Sequence, residues 1–134
     1  TSIAVDPNDN DRVLVTCGNY GNSNYVYYSG NATSTSANFL VKDGNLGNFP
    51  VYAATFDKGN SAYAIIGTEF GIFSTQNINS ASPQWGADNS GLARVPVFTL
   101  KQYRTSKSST ADMSVEEGDI FAGTFGRGAF QTTS

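Results

Sequence analysis

The chain has 134 residues, 39% hydrophobic, 13% aromatic and only 14% charged, with net charge −3 and no histidine. An acidic balance argues against nucleic acid, which calls for a basic face, and the lack of His removes most zinc sites and Ser-His or Cys-His dyads. One domain is expected at this length. Its 14 glycines, seven Tyr and nine Phe favour short strands joined by many turns.

In chain order, Ser2-Ile3-Ala4-Val5 reads as an edge-like strand, followed by a turn through Asp6-Pro7-Asn8-Asp9-Asn10-Asp11. Arg12 leads into the strand Val13 to Cys17. A turn at Gly18-Asn19-Tyr20-Gly21-Asn22 precedes the aromatic strand Tyr25-Val26-Tyr27-Tyr28-Ser29. A polar connector then reaches Phe39-Leu40-Val41, a fourth strand. After Gly44-Asn45-Leu46-Gly47 the order repeats: the strand Pro50 to Phe56, the turn Asp57-Lys58-Gly59-Asn60, and the stretch Ala62 to Thr75. Ala62 to Ile66 is an unbroken apolar run too short for an ordinary helix, as in a strand covered on both faces. Gly67 and Gly71 bracket the expected turn, and Ile72-Phe73 start the return strand. A connector from Gln76 to Pro83 leads to Gln84-Trp85, the expected fourth strand. A third repeat starts at Val95-Pro96-Val97-Phe98-Thr99-Leu100. It passes through a Ser/Thr-rich, charged loop from Tyr103 to Glu117 and ends in Asp119-Ile120-Phe121-Ala122-Gly123-Thr124-Phe125-Gly126-Arg127-Gly128-Ala129-Phe130.

Repeats at roughly 45–55 residues without amphipathic helical patterning indicate four-stranded units stacked face to face. The expected fold is all-β: a partial β-propeller of about three consecutive four-stranded antiparallel blades, the last incomplete, near 1–45, 46–92 and 93–134. Three blades cannot close a ring, so the remaining blades are expected from a parent chain or from oligomerisation. With no initiator Met and a strand-like start, the chain reads as a piece of a longer protein. No run is long enough to span a membrane, and no signal peptide is present. Cys17 stands alone, without an internal disulfide partner, and reads as buried filler.

Gly71-Ile72-Phe73-Ser74-Thr75-Gln76-Asn77 … Trp85 resembles the Asp-box turn of sortilin-like and sialidase-type propellers, and Tyr28-Ser29-Gly30-Asn31 … Phe39 resembles it more faintly. Gln76 and Asn31 replace the box Asp; Ile78 and Thr33 replace its Gly. Ile3-Ala4-Val5-Asp6-Pro7 … Arg12-Val13 and Gly123 to Phe130 resemble blade segments of large secreted and surface proteins of Bacteroidota. The resemblance implies a secreted or cell-surface scaffold or a module binding protein or glycan. The alternative to that reading is part of a xyloglucanase- or sialidase-like glycoside hydrolase whose acids are shared with other blades.

Arg94-Val95-Pro96 resembles the carboxylate-binding Arg-Ile-Pro of sialidases, but Phe49-Pro50-Val51 occupies the same place without an arginine. Asp57, Glu69, Asp88 and Asp119 are the available acids. Glycoside hydrolysis needs two of them roughly 5–9.5 Å apart across a sugar, and spacing selects no pair. Asp6, Asn8, Asn10 and Asp11 alternate like a calcium loop but lack its Gly and distal Glu; self-capping is the simpler role. Gly123, Gly126 and Gly128 lack the Lys and helix of a phosphate loop. Arg127 could meet an anion in the axial channel or bond across its own turn. Tyr25, Tyr27, Tyr28 and Trp85 could stack on sugar, although core packing between blades is their ordinary use. Asn31-Ala32-Thr33 fits a glycosylation sequon. The expectation is therefore no catalytic, metal or cofactor residue within the chain. Function is expected on loops such as Gly18–Asn24 and Tyr103–Glu117. A third possibility is a small β protein that assembles into a ring by itself.

Overall fold

The computed structural model describes residues 2–104 and 117–132, which form eleven strands and, among the described residues, no helix. The first sheet contains β1 (Ser2–Asp6), β2 (Asp9–Thr16), β3 (Val26–Ser29) and β4 (Leu40–Val41). The second contains β5 (Val51–Phe56), β6 (Ala64–Thr68), β7 (Gly71–Thr75) and β8 (Gly86–Ala87). The third contains β9 (Val97–Gln102), β10 (Ile120–Thr124) and β11 (Gly128–Thr132). Each sheet is an antiparallel meander in chain order. The inner strand β5 packs against β1 on one side and β9 on the other. This is a partial β-propeller of three consecutive blades.

The middle sheet explains the apolar run that marks it in the sequence. Ala54, Phe56, Ala64 and Ile66 point into the core shared with the first sheet, and Ala53 and Ile65 into the core shared with the third. Side chains alternate between faces along a strand, so two dry faces demand apolar residues at consecutive positions.

Several boundaries differ from expectation. β2 begins at Asp9, inside the expected turn, which closes at Pro7-Asn8. There the Asn8 N–H donates to Asp6 Oδ1 at 2.9 Å. Gly67 belongs to β6, and the turn is Glu69-Phe70. A Cβ on Gly67 would lie 2.7 Å from Val97 O, so glycine there permits the close approach of the third sheet. Gly71 begins β7 at φ +102°, as a turn exit requires. Pro50 and Pro96 precede β5 and β9 rather than joining them, since Pro has no N–H to give a ladder. The outer strand of the second sheet is Gly86–Ala87; Trp85, 4% exposed, is a core plug before it.

The first two repeats share a register unseen in the sequence. β3–β4 pairs Tyr27 with Val41 and Tyr28 with Leu40, while β7–β8 pairs Phe73 with Ala87 and Ser74 with Gly86. Every position is displaced by 46 (73 − 27, 87 − 41). The same displacement relates two caps. Asp43 Oδ1 accepts from Val26 N at 2.8 Å, and Asn89 Oδ1 accepts from Ile72 N at 2.8 Å. An Asx side chain thus closes the third strand of each unit. This register aligns Asn31 with Asn77 rather than with Gln76.

Candidate functional site

One end of the blades gathers exposed aromatic rings. In the second and third repeats, Pro-Val-aromatic opens the inner strand and places Tyr52 and Phe98 side by side, ring centroids 4.7 Å apart and tilted 65°. The hairpin turn after each Gly-Thr returns to the same end: Glu69 N donates to Pro50 O at 3.1 Å, and Phe125 N donates to Pro96 O at 2.9 Å. Phe125 then reaches Phe98 at 5.9 Å, again near edge-to-face. Edge-to-face rings hold one another without burying their faces, which leaves Phe98 45% and Phe125 67% exposed. Phe70, 49% exposed, sits edge-on to Phe49 at 5.2 Å on the preceding turn.

Glu69 sets the polar side of this surface. The Tyr52 hydroxyl donates to Glu69 Oε2. Burial, this hydrogen bond and the Glu69 charge push the Tyr52 phenol up to about 12. It remains a neutral donor at any physiological pH. The strip therefore offers apolar ring faces beside one carboxylate. Such a surface suits the C–H face of a sugar better than an anion.

The residues singled out in the sequence are mostly elsewhere. Tyr25, Tyr28 and Trp85 are buried, 1%, 7% and 4% exposed, in the core between the first two sheets. They pack the blades instead of stacking on a ligand. Tyr27 is half-buried on the opposite face of β3. Asp57 caps its own turn, its Oδ2 accepting from Gly59 N at 3.1 Å and its Oδ1 from Gln102 Nε2 at 2.8 Å. Asp119 is 1% exposed, and its Oδ2 accepts from Gln131 Nε2 at 2.7 Å. With Glu69 on Tyr52, three of the four acids are engaged in holding the fold, and Asp88 is exposed.

Asp6, Asn8 and Asp11 do not converge on a cation, and among the described residues no cluster of metal-binding side chains exists. Asp11 accepts from the hydroxyl and N–H of Thr33, which hold its carboxyl below the usual range. Asn8 crosses to the second sheet, donating to Lys58 O at 2.9 Å. Arg94 and Arg127 are exposed. Arg127 makes no hydrogen bond among the described residues; its turn is closed by Thr124 Oγ1 donating to Gly128 O at 2.7 Å. Asn31 uses its side chain locally, Oδ1 accepting from Asn38 N at 2.9 Å. Cys17 is half-buried against the first core. Of the expected loop from Tyr103 to Glu117, residues 105–116 lie outside the described residues. Its base is tied by Gly118 N donating to Tyr103 O at 2.8 Å.

Between the second and third sheets runs a groove of about 550 Å3 lined by Tyr63, Ile65, Ile72, Ile120, Ala122 and Phe130, with Asp57 and Asp88 on its walls.

No family model matches the chain, and no curated relative matches it. Solved structures do. A GH74 enzyme of Niastella koreensis superposes with TM-score 0.63 at 13% identity, over 99% of this chain and 21% of that one. The GH74 xyloglucanase of Xanthomonas campestris gives 0.58 at 12%, over 99% and 22%. An ancestral GH74 enzyme gives 0.57 at 20%, over 98% and 17%. The chain spans about a fifth of these enzymes' length, and the likeness is one of fold: consecutive propeller blades.

Proposed function

We propose that the chain is a non-catalytic run of propeller blades in a secreted or cell-surface protein, presenting its aromatic end to a polysaccharide. The observation that carries this reading is the Tyr52–Phe98–Phe125 strip, three rings in contact across two blades with two of them about half exposed or more. The GH74 neighbours, one of them a xyloglucanase, supply the first ligand to try. In affinity electrophoresis through xyloglucan the chain is expected to be retarded, and Phe98→Ala with Phe125→Ala to remove the retardation while the circular dichroism is kept. Unchanged migration of the parent chain across a panel of neutral polysaccharides would defeat the reading.

A second reading is a glycoside hydrolase whose acids are shared with further blades, favoured by the enzymes among the structural neighbours. It requires that Asp57→Asn or Asp119→Asn abolish hydrolysis by the full-length polypeptide. The hydrogen bonds that occupy both carboxylates support the first reading instead.

A further inference from the structure

The three sheets repeat one feature at the same end. The hairpin between the second and third strands of each carries an exposed aromatic ring: Tyr20 at 62%, Phe70 at 49% and Phe125 at 67%. A lone exposed ring is ordinary on a protein surface; a ring on the same turn of three successive repeats is not. Phe70 belongs to the second sheet, which has a sheet packed on either side, so its exposure comes from the repeat and not from the edge of the row. Val51 N donates to Cys17 O at 2.9 Å, which sets the first turn against the start of β5, beside Tyr52. The Tyr20 phenol lies close enough to Tyr52 for its charge to add to the rise of the Tyr52 pKa.

The first turn is the long one. Thr16 pairs with Val26 across residues 17–25, whereas Thr68 pairs with Gly71 across 69–70. The added residues are organised from within. Cys17 N donates to Tyr25 O at 2.9 Å at the base, Asn22 Nδ2 donates to Asn19 O at 2.7 Å, and Gly21 turns the chain at φ +91°. Among the described residues no ring packs on Tyr20 and no group bonds its hydroxyl. The loop thus fixes its own backbone and holds that ring toward solvent. Glu69 lies beyond Tyr52 with one oxygen still to offer: Oε2 accepts from the Tyr52 hydroxyl, and among the described residues nothing donates to Oε1.

We propose that this row is one extended glycan site, in which Tyr20 is a further aromatic platform and the ligand is an oligosaccharide chain lying across the turns of all three blades. The inference rests on the carbohydrate reading of the Tyr52–Phe98–Phe125 strip and adds to it the reach of the site and a residue of the first sheet. Stacked sheets stand about 10 Å apart, so the first and third are on the order of 20 Å apart, more than one sugar residue bridges. Each ring face takes the C–H face of a pyranose, while Glu69 Oε1 and the Tyr20 hydroxyl meet hydroxyls at its rim. Rings divided by a carboxylate do not make the continuous apolar centre that a protein interface needs.

Affinity electrophoresis of the 134-residue chain through xyloglucan, with cellobiose and cellohexaose as competitors, tests this reach. Cellohexaose is expected to release the chain at concentrations where cellobiose does not. Tyr20→Ala, an exposed change that circular dichroism should show to be folded, is expected to weaken binding by about three- to tenfold, the size of one stacked ring. It should narrow the advantage of cellohexaose by the same factor, and Tyr20→Phe, which keeps the ring, should restore most of both. Retardation untouched by Tyr20→Ala but removed by Phe98→Ala with Phe125→Ala would confine the site to the strip; the proposal would then fall while the carbohydrate reading stood. Cellobiose as effective as cellohexaose, or Tyr20→Phe as weak as Tyr20→Ala, would overturn it in the same way. A parent chain that no polysaccharide retards would defeat both.

Discussion

The first and second sheets are one repeat in two surroundings. Five of the six residues of β5 are buried, whereas burial alternates along its counterpart β1, with Ile3 69% and Val5 44% exposed. Yet the faces are chemically alike. The cross-strand row Ile3–Val15–Tyr27–Val41 on the open side of the first sheet corresponds to Ala54–Ile66–Phe73–Ala87, which the second sheet turns toward the first. The repeat sets the polarity of a face, and a neighbouring sheet decides whether that face is dry. Ile3 and Val5 therefore lie on a face that is dry in the second sheet and open in the first, among the described residues.

The largest expected effect lies in the core between the first two sheets. Phe56, fully buried between the first two sheets, should cost about 3–5 kcal/mol on truncation to Ala, from lost transfer energy and the cavity left behind. Ile3→Ser in the same chain should change stability by about 0.5 kcal/mol or less, because the side chain is already in water. Urea denaturation of both variants checks the pair. Equal losses would mean that the open face of the first sheet is covered in solution.

A smaller effect is expected where the second sheet packs on the third. Gly67→Ala would set a methyl 2.7 Å from Val97 O and 2.8 Å from Val97 Cγ1, so the third sheet must yield. Overpacking of this kind costs about 1–3 kcal/mol. Gly86→Ala in β8, where nothing lies within 4 Å of the added carbon, is the matched control and should be near neutral. If Gly67→Ala were as silent as Gly86→Ala, the packing of the second sheet on the third would be looser than described.

Much of the fold was legible because one physical signal carried it: an apolar run such as Ala62–Ile66 has no reason to lack polar residues unless both faces are dry. The meander, its period and the Pro-led inner strands followed. Strand ends were less legible, because Asp9 has turn composition but pairs with Asp6 of β1, while residues 10–12 bulge out of the ladder until Val13, and Gly67 has turn composition but serves a neighbour 30 residues away. The Asp43 and Asn89 caps were invisible, since each acts 17 residues back along the chain. The aromatic strip did leave a trace. Glu69-Phe70 and Phe125 put Phe in tight turns, away from the core that large apolar side chains ordinarily fill, and Tyr52 and Phe98 follow Pro-Val in both repeats. Tyr25, Tyr28 and Trp85 stand out in the sequence by aromatic density, which in this fold marks the core.

The subtlest difference between the two ends of the blades lies in the Tyr52–Glu69 pair. Because burial, then the Glu69 hydrogen bond, then its charge raise Tyr52 from 10.0 to about 12, the folded chain holds this proton more tightly than the unfolded one. The stabilisation is complete below pH 10 and is lost as pH rises from there through 12. Phenolate absorbance should show Tyr52 titrating above the ordinary phenol range, with Tyr28 raised in the same direction by burial. Glu69→Gln removes the Glu69 charge but keeps the burial and an amide oxygen able to accept from the phenol, so the Tyr52 midpoint should move down without returning to its ordinary value. Tyr52→Phe should delete one late-titrating ring. A titration curve unchanged by Glu69→Gln would separate Glu69 from Tyr52 in solution and leave the aromatic strip without its polar edge.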